Sequence, residues 1–163
     1  MPGSTPAAED RPLSRARSAD RRWTMHGPWA ILLGVEGGPT YVLHGLRIRT
    51  LNDFWREIGE AVNGPGGYFA SGLDALDDAL SGGMGQPEDG RCTFVWEDSA
   101  VSRAALGYEE TVRALEERLC RCHASNRVRV RADLERAQAH AGPTAFDWLL
   151  EAFESGPAAL VLR

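Results

Sequence analysis

Apolar residues in this chain recur first with the period of strands and then with the period of helices. Two strand-like runs, Trp29-Ala30-Ile31-Leu32-Leu33-Gly34-Val35 and Pro39-Thr40-Tyr41-Val42-Leu43-His44, flank Glu36-Gly37-Gly38, which predicts a hairpin and an added N-terminal strand. His44-Gly45 then begins a turn or bulge. Thr50 and Asp53 have the spacing of a capping box, and Leu51, Phe54, Ile58 and Ala61 make the stripe of a helix running through Val62. Asn63-Gly64-Pro65-Gly66-Gly67 stops it and leaves Tyr68 and Phe69 ahead of a second, shorter helix. Ser71 and Asp74 repeat the capping-box spacing there. Leu73, Leu76 and Leu80 form its apolar stripe from near Gly72 to Leu80, and Ser81-Gly82-Gly83 ends it.

Cys92-Thr93-Phe94-Val95-Trp96 reads as a buried strand. Residues 102–106 fit one or two helical turns. Val112, Leu115, Leu119 and Cys122 then mark an amphipathic helix over 108–123. Arg127-Val128-Arg129-Val130-Arg131 alternates between polar flanks, which suits either a short exposed strand or the start of a helix. Thr144 and Asp147 give a third capping box before the stripe Phe146, Leu149, Leu150 and Phe153, and Ser155-Gly156-Pro157 closes that helix. Ala158-Ala159-Leu160-Val161-Leu162 is apolar enough for a central strand. The resulting order is strand, two helices, strand, two helices, strand. Long helical crossovers between strands predict an α/β fold with a small parallel three-stranded sheet and helices packed on it.

Residues 1–27 lack apolar periodicity and are rich in Pro, Ala, Ser and Arg, so a disordered tail is expected ahead of one domain over 28–163. Met25 lies just before the first strand-like run, so residues 1–24 read equally as a functional arm or as a mis-set start. No run approaches the ~20 apolar residues of a membrane span, and none has the early apolar core of a signal peptide. Three cysteines, Cys92, Cys120 and Cys122, do not suggest a secreted disulfide framework, so a reducing cytoplasm is expected. In Cys120-Arg121-Cys122-His123 the thiols point to different sides of a helix, against a metal site. His44 lacks a neighbouring Ser or Cys motif to activate. It is read as a strand residue.

The net charge of −5 is unevenly spread. Between Tyr68 and Asp98, seven acids stand against Arg91 alone, whereas six acids meet seven Arg between Glu109 and Arg136. An acidic centre repels nucleic acid and attracts a basic protein. Asp74, Asp77 and Asp78 share an arc of roughly 100° on the short helix, beside its leucine stripe. A first-turn carboxylate has the cap and the helix dipole to explain it, but Asp77 and Asp78 do not. Two Asp residues at i and i+4 cost a helix about 0.2 to 0.5 kcal/mol. The ordinary reading is a solvated charged face. An alternative is a divalent-cation hydrolase, but one helix face supplies only part of a coordination shell and no other cluster completes it.

Tyr68-Phe69, Leu73-Asp74-Ala75-Leu76 and Asp78-Ala79-Leu80 resemble the signature of the barstar family. Its pattern is two aromatics, a short polar loop, Leu-Asp-Ala-Leu, a Trp, an Asp, a small residue and a Leu. The resemblance implies a small intracellular inhibitor of a ribonuclease, antitoxin-like, that plugs a cationic active site with this loop and helix. No catalytic group, cofactor or metal is then required, and the free chain is expected to be a monomer. By position, Asp78 matches the dominant anchor, Asp74 the second carboxylate and Tyr68 the interface tyrosine. Gly72 and Leu73 match contacting positions at the start of the helix. Asp77 stands where the family has Trp, Ala70 and Gly72 replace a Gly and an Asn, and Gly83 replaces a second Trp. These departures leave open another basic protein as the target. Asp147 is a rim candidate, although its capping box already explains it. Taken in isolation, Tyr68 also reads as a packing residue. The resemblance covers about residues 40–163, apart from a longer middle stretch, an insertion at about 107–140.

Overall fold

Strands β1 (Thr40–His44), β2 (Thr93–Glu97) and β3 (Ala159–Leu162) pair in parallel in the order β1-β2-β3. This computed structural model describes residues 38–163, so the expected hairpin strand at 29–35 and the tail at 1–27 lie outside the described residues. The register sets Val42 against Val95 and Val95 against Val161. β2, not β3, is the central strand. Thr93 to Trp96 are all buried, whereas every residue of β3 is half-buried, so the expectation of a central C-terminal strand is corrected. The aromatic bulk of β2 accounts for this, because helices before and after it must both pack on Phe94 and Trp96.

Helix α1 (Leu51–Asn63) begins with the predicted capping box: the Thr50 hydroxyl accepts from Asp53 N–H, and Asp53 accepts from Thr50 N–H. Its Phe54 lies 5.3 Å from the Trp96 ring, centroid to centroid. Helix α6 (Ala145–Ser155) packs Phe146 on Trp96 at 5.1 Å and Phe153 on Phe94 at 5.2 Å. The indole N–H of Trp96 donates to the Ser102 hydroxyl at 3.0 Å, which in turn donates to the carbonyl of Gly45 at 3.1 Å. A fully buried Trp thus keeps its one polar atom satisfied. Helix α2 (Leu73–Leu80) lies between α1 and β2 in sequence and packs against α6.

Four helices, not two, separate β2 from β3. α3 (Ser99–Ala105), α4 (Tyr108–Arg121) and α5 (Arg127–Gln138) precede α6. The alternating 127–131 stretch is helical because Val130, Leu134 and Ala137, at spacings of four and three, supply the face that meets α4. Val128, whose alternation suggested a strand, is 82% exposed. Buried Leu115, Val130 and Ala137 make a second small core between α4 and α5, with Trp148 of α6 packed against it. α4 also fastens the start of α6, where Thr111 Oγ1 accepts from Ala145 N–H at 2.7 Å.

Candidate functional site

The acidic helix is oriented by its leucines. Leu76 and Leu80 are completely buried and Ala79 nearly so, which turns Asp74, Asp77 and Asp78 to solvent, with Leu73 half-buried at the first position. The helix spans the predicted residues, but the Ser71–Asp74 capping box does not form. Gly72 is the N-cap, in extended backbone at φ 174°, so Asp74 falls one position short of the reciprocal bond. The Ser71 hydroxyl instead sits 3.3 Å from the Tyr68 hydroxyl. Asp74 is therefore not occupied by a cap. It still lies in the first turn, where the helix dipole favours a carboxylate.

Among the described residues, Asp74 and Asp78 have no side-chain hydrogen bond or ion pair, whereas the Asp77 carboxylate accepts from the Ser155 hydroxyl of α6. Asp77 thus ties α2 to α6. This role had no signal in the sequence, because Ser155 is 78 residues away and reads there only as a helix terminator.

Tyr68 is 57% exposed, which overturns its reading as a packing residue. The loop is anchored instead by Phe69 and Ala70, each 1% exposed. Its approach to α1 is very close. A Cβ at Gly59 would stand 2.2 Å from the carbonyl oxygen of Gly67, so only glycine lets the loop close there. At the end of α1, the Asn63 side-chain amide donates to the carbonyls of both Tyr68, at 2.8 Å, and Met84, at 2.9 Å. That single nitrogen holds two loops on either side of α2. The second loop is braced by the Tyr41 hydroxyl donating to Gly85 O at 3.1 Å. Met84 is half-exposed with φ 52°, a left-handed conformation uncommon for a bulky residue. Neither Asn63 nor Met84 stands out in the sequence, since Asn63 belongs to a generic loop run and Met84 to a glycine-rich turn.

Gly72, Leu73 and Asp74 come together with Trp55, Trp148 and residues of α4 to line one cleft. Asp147 precedes Trp148 in α6, but its carboxylate is occupied: it accepts from the Thr144 backbone N–H and hydroxyl, both at 2.8 Å, in the predicted capping box. Among the described residues no group of three or more His, Cys, Asp and Glu side chains is arranged to hold a metal ion. His44 ends β1, its Nδ1 2.6 Å from the buried Glu57 carboxylate. All three thiols are free. Cys92 is buried, and that burial, with a smaller contribution from the Asp89 charge, pushes its thiol up to about 11. No helix among the described residues is long and apolar enough to cross a membrane.

What this arrangement offers is an exposed acidic face. Two carboxylates unpaired among the described residues stand on a helix anchored by buried Leu76 and Leu80, and an exposed tyrosine lies on the loop beside it, held by Asn63. A protein-family model described as Barstar (barnase inhibitor) matches residues 39–135, more than half of the chain. The match takes in β1, α1, the Tyr68 loop, α2, β2, α3, α4 and most of α5, and ends before α6 and β3. No curated protein matches the chain.

Proposed function

The chain belongs to the barstar family, and from that membership we propose that it is a protein inhibitor of a basic ribonuclease, covering the enzyme's cationic active site with α2 and the loop before it. The observation that carries the proposal is the pair Asp74 and Asp78, exposed on a helix whose opposite side is fully buried and left without cations of their own. Unpaired carboxylates repel one another in the free protein, and that repulsion turns into attraction when arginines or lysines of a partner arrive. They take the place of substrate phosphates, so binding and inhibition are one event. Tyr68, Gly72 and Leu73 supply the apolar and backbone contacts beside them. Asp77 contributes charge while its hydrogen bond to Ser155 fixes the helix, and Asp147 stands at the rim. The free inhibitor is a monomer, and nothing in this action calls for a catalytic group, a cofactor or a metal.

Asp77 favours a target other than barnase itself. The family pattern places Trp at that position, so a nuclease matched to this chain meets a third carboxylate instead of an indole. Another basic protein on the same face is the second reading. The test is hydrolysis of a fluorogenic oligoribonucleotide by barnase, and by the nuclease that co-purifies with the tagged chain, titrated with the purified inhibitor. Stoichiometric loss of RNA cleavage supports the inhibitor. A co-purifying basic protein without ribonuclease activity, together with unimpaired barnase, overturns it in favour of the second reading.

A further inference from the structure

Helix α4 stands beside the proposed partner face, and between them lies an open cleft of about 620 Å³, within the ~300 to 1,000 Å³ of typical binding sites. Leu73 and Asp74 of α2 contribute to one wall and Arg118 and Arg121 of α4 to another, while α1 and α6 each contribute a half-buried indole, Trp55 and Trp148. The cleft therefore sets two indoles and Leu73 among charges of both signs, Asp74 and Glu117 against Arg113, Arg118 and Arg121. It is continuous with the acidic face, because the start of α2 belongs to both.

Arg118, in this lining, sits awkwardly beside a face proposed to meet a cationic protein. Arg113 is paired with Glu110 and Glu117, and Arg121 with Glu117, but Arg118 has no ion-pair partner among the described residues. An arginine unpaired among the described residues, next to the footprint of a basic nuclease, is repulsive, as like charges juxtaposed across an interface are. A carboxylate that the nuclease brings to that spot removes the repulsion and replaces it with a salt bridge. Beside such a carboxylate, two indoles and Leu73 suit a large apolar side chain, buried against aromatic surface.

We propose that this cleft is a second subsite of the partner face, taking from the bound nuclease a protruding large apolar side chain whose neighbouring carboxylate meets Arg118. The inference rests on the inhibitor reading above and adds to it a role for α4 as a specificity wall. A basic nuclease lacking that acidic neighbour is then rejected by Arg118, which is discrimination by repulsion as well as by contact.

The sign of one substitution separates this subsite from general electrostatics. Against a merely basic partner, Arg118→Glu adds attraction and tightens binding. With a carboxylate in the cleft it must weaken binding, by at least ~10-fold, about 1.4 kcal/mol. The titration uses the nuclease inhibited in the assay above, with Asp78→Ala as the reference variant and unfolding curves on each protein. Weakening by Arg118→Glu, with its fold intact, supports the subsite. Unchanged or tighter binding, while Asp78→Ala still weakens it, overturns the subsite alone, whereas indifference to both variants overturns α2 as the binding face and the subsite with it. An independent arm uses N-acetyl-phenylalanine and its uncharged amide as probes of the isolated chain, read by NMR shifts of the indole N–H groups of Trp55 and Trp148. At about 0.3 kcal/mol per heavy atom the acid should saturate on the order of 1 mM. The amide should bind at least ~5-fold more weakly, a preference that Arg118→Glu abolishes. No saturable shift, or equal binding of acid and amide, overturns the proposal.

Discussion

The buried Glu110 carboxylate of α4 accepts a hydrogen bond at 2.7 Å from the backbone N–H of Leu51, the first residue of α1. The first N–H groups of a helix have no partner within it, and here an acid 59 residues away supplies one. Arg113 closes the arrangement by donating twice to the same carboxylate, from Nε and Nη2, both at 2.6 Å. α4 is thereby fixed to the helix whose far end, at Asn63, clamps the Tyr68 loop. Glu110→Ala should cost about 1 to 3 kcal/mol of stability, because it strands a buried N–H and removes a charge-assisted pair. Glu110→Gln, which keeps an acceptor for Leu51, should cost less. Urea unfolding of both variants checks the order.

Gly59 reverses the usual effect of a helix substitution. Replacing glycine by alanine inside a helix ordinarily gains up to about 1 kcal/mol. At this position the new Cβ would lie 2.2 Å from Gly67 O, so the loop that presents Tyr68 must move away. Gly59→Ala should therefore lower the melting temperature and also weaken partner binding. A stabilised variant with unchanged affinity would show that the loop does not rest on α1.

Much of this architecture was legible because local signals agreed with the packing. The capping boxes at Thr50 and Thr144 formed where the spacing put them, and the Leu76–Leu80 stripe fixed which side of α2 faces solvent. The Ser71 box failed because its spacing is also met by a serine one residue ahead of the true cap, and only the burial of Phe69 and Ala70 decides where the helix begins. β3 looked central because apolar content does not report how many neighbours a strand has. α5 was ambiguous because only three of its residues face a partner, and its charged remainder dilutes the helical period. Ser155 and Glu110 act across 78 and 59 residues and Asn63 reaches Met84 across 21, so no local pattern announces these contacts.

Leu76 tests the orientation of the acidic face directly. It is completely buried, so Leu76→Ala should leave a cavity and cost about 2 to 5 kcal/mol. The denaturant midpoint should fall accordingly. A midpoint close to wild type would mean that α2 is rotated, with its aspartates facing elsewhere.

Acid should loosen the start of α1. Partial burial raises the Asp53 carboxyl, but the Thr50 hydroxyl, the backbone N–H groups of Arg49 and Thr50, and the Arg56 charge outweigh it and hold the group below its ordinary value. Because the folded value is the lower one, the unfolded chain binds more protons in that window and stability rises with pH. The Asp53 contribution is complete above the ordinary aspartate range and is lost as pH falls through the depressed folded value. Urea midpoints measured from pH 6 to pH 2.5 should therefore decline less steeply for Asp53→Asn than for wild type. Parallel curves would remove Asp53 from the acid response.

Asp78 carries the most direct test of the partner face. It lies in the second turn of α2, outside the reach of the cap and without an ion pair among the described residues, so its charge does nothing for the fold that the structure reveals. Truncating an interfacial carboxylate leaves the partner's cations buried without compensation, which costs about 2 to 5 kcal/mol, a range to which the barstar–barnase complex itself contributes. Asp78→Ala should therefore raise the dissociation constant at least ~30-fold, about 2 kcal/mol. Its stability should hold or rise by a few tenths of a kcal/mol, since its repulsion with Asp74 is gone. Asp74→Ala should weaken binding too, but it should also lose roughly 0.3 to 1 kcal/mol of stability, because a first-turn carboxylate interacts favourably with the helix dipole. Isothermal titration of both variants at two salt concentrations, with unfolding curves alongside, separates the effects. The wild-type association rate should fall as salt rises, and that dependence should shrink in both variants. If Asp78→Ala binds like wild type, the carboxylates are an ordinary solvated face, and the proposed partner is met by another surface.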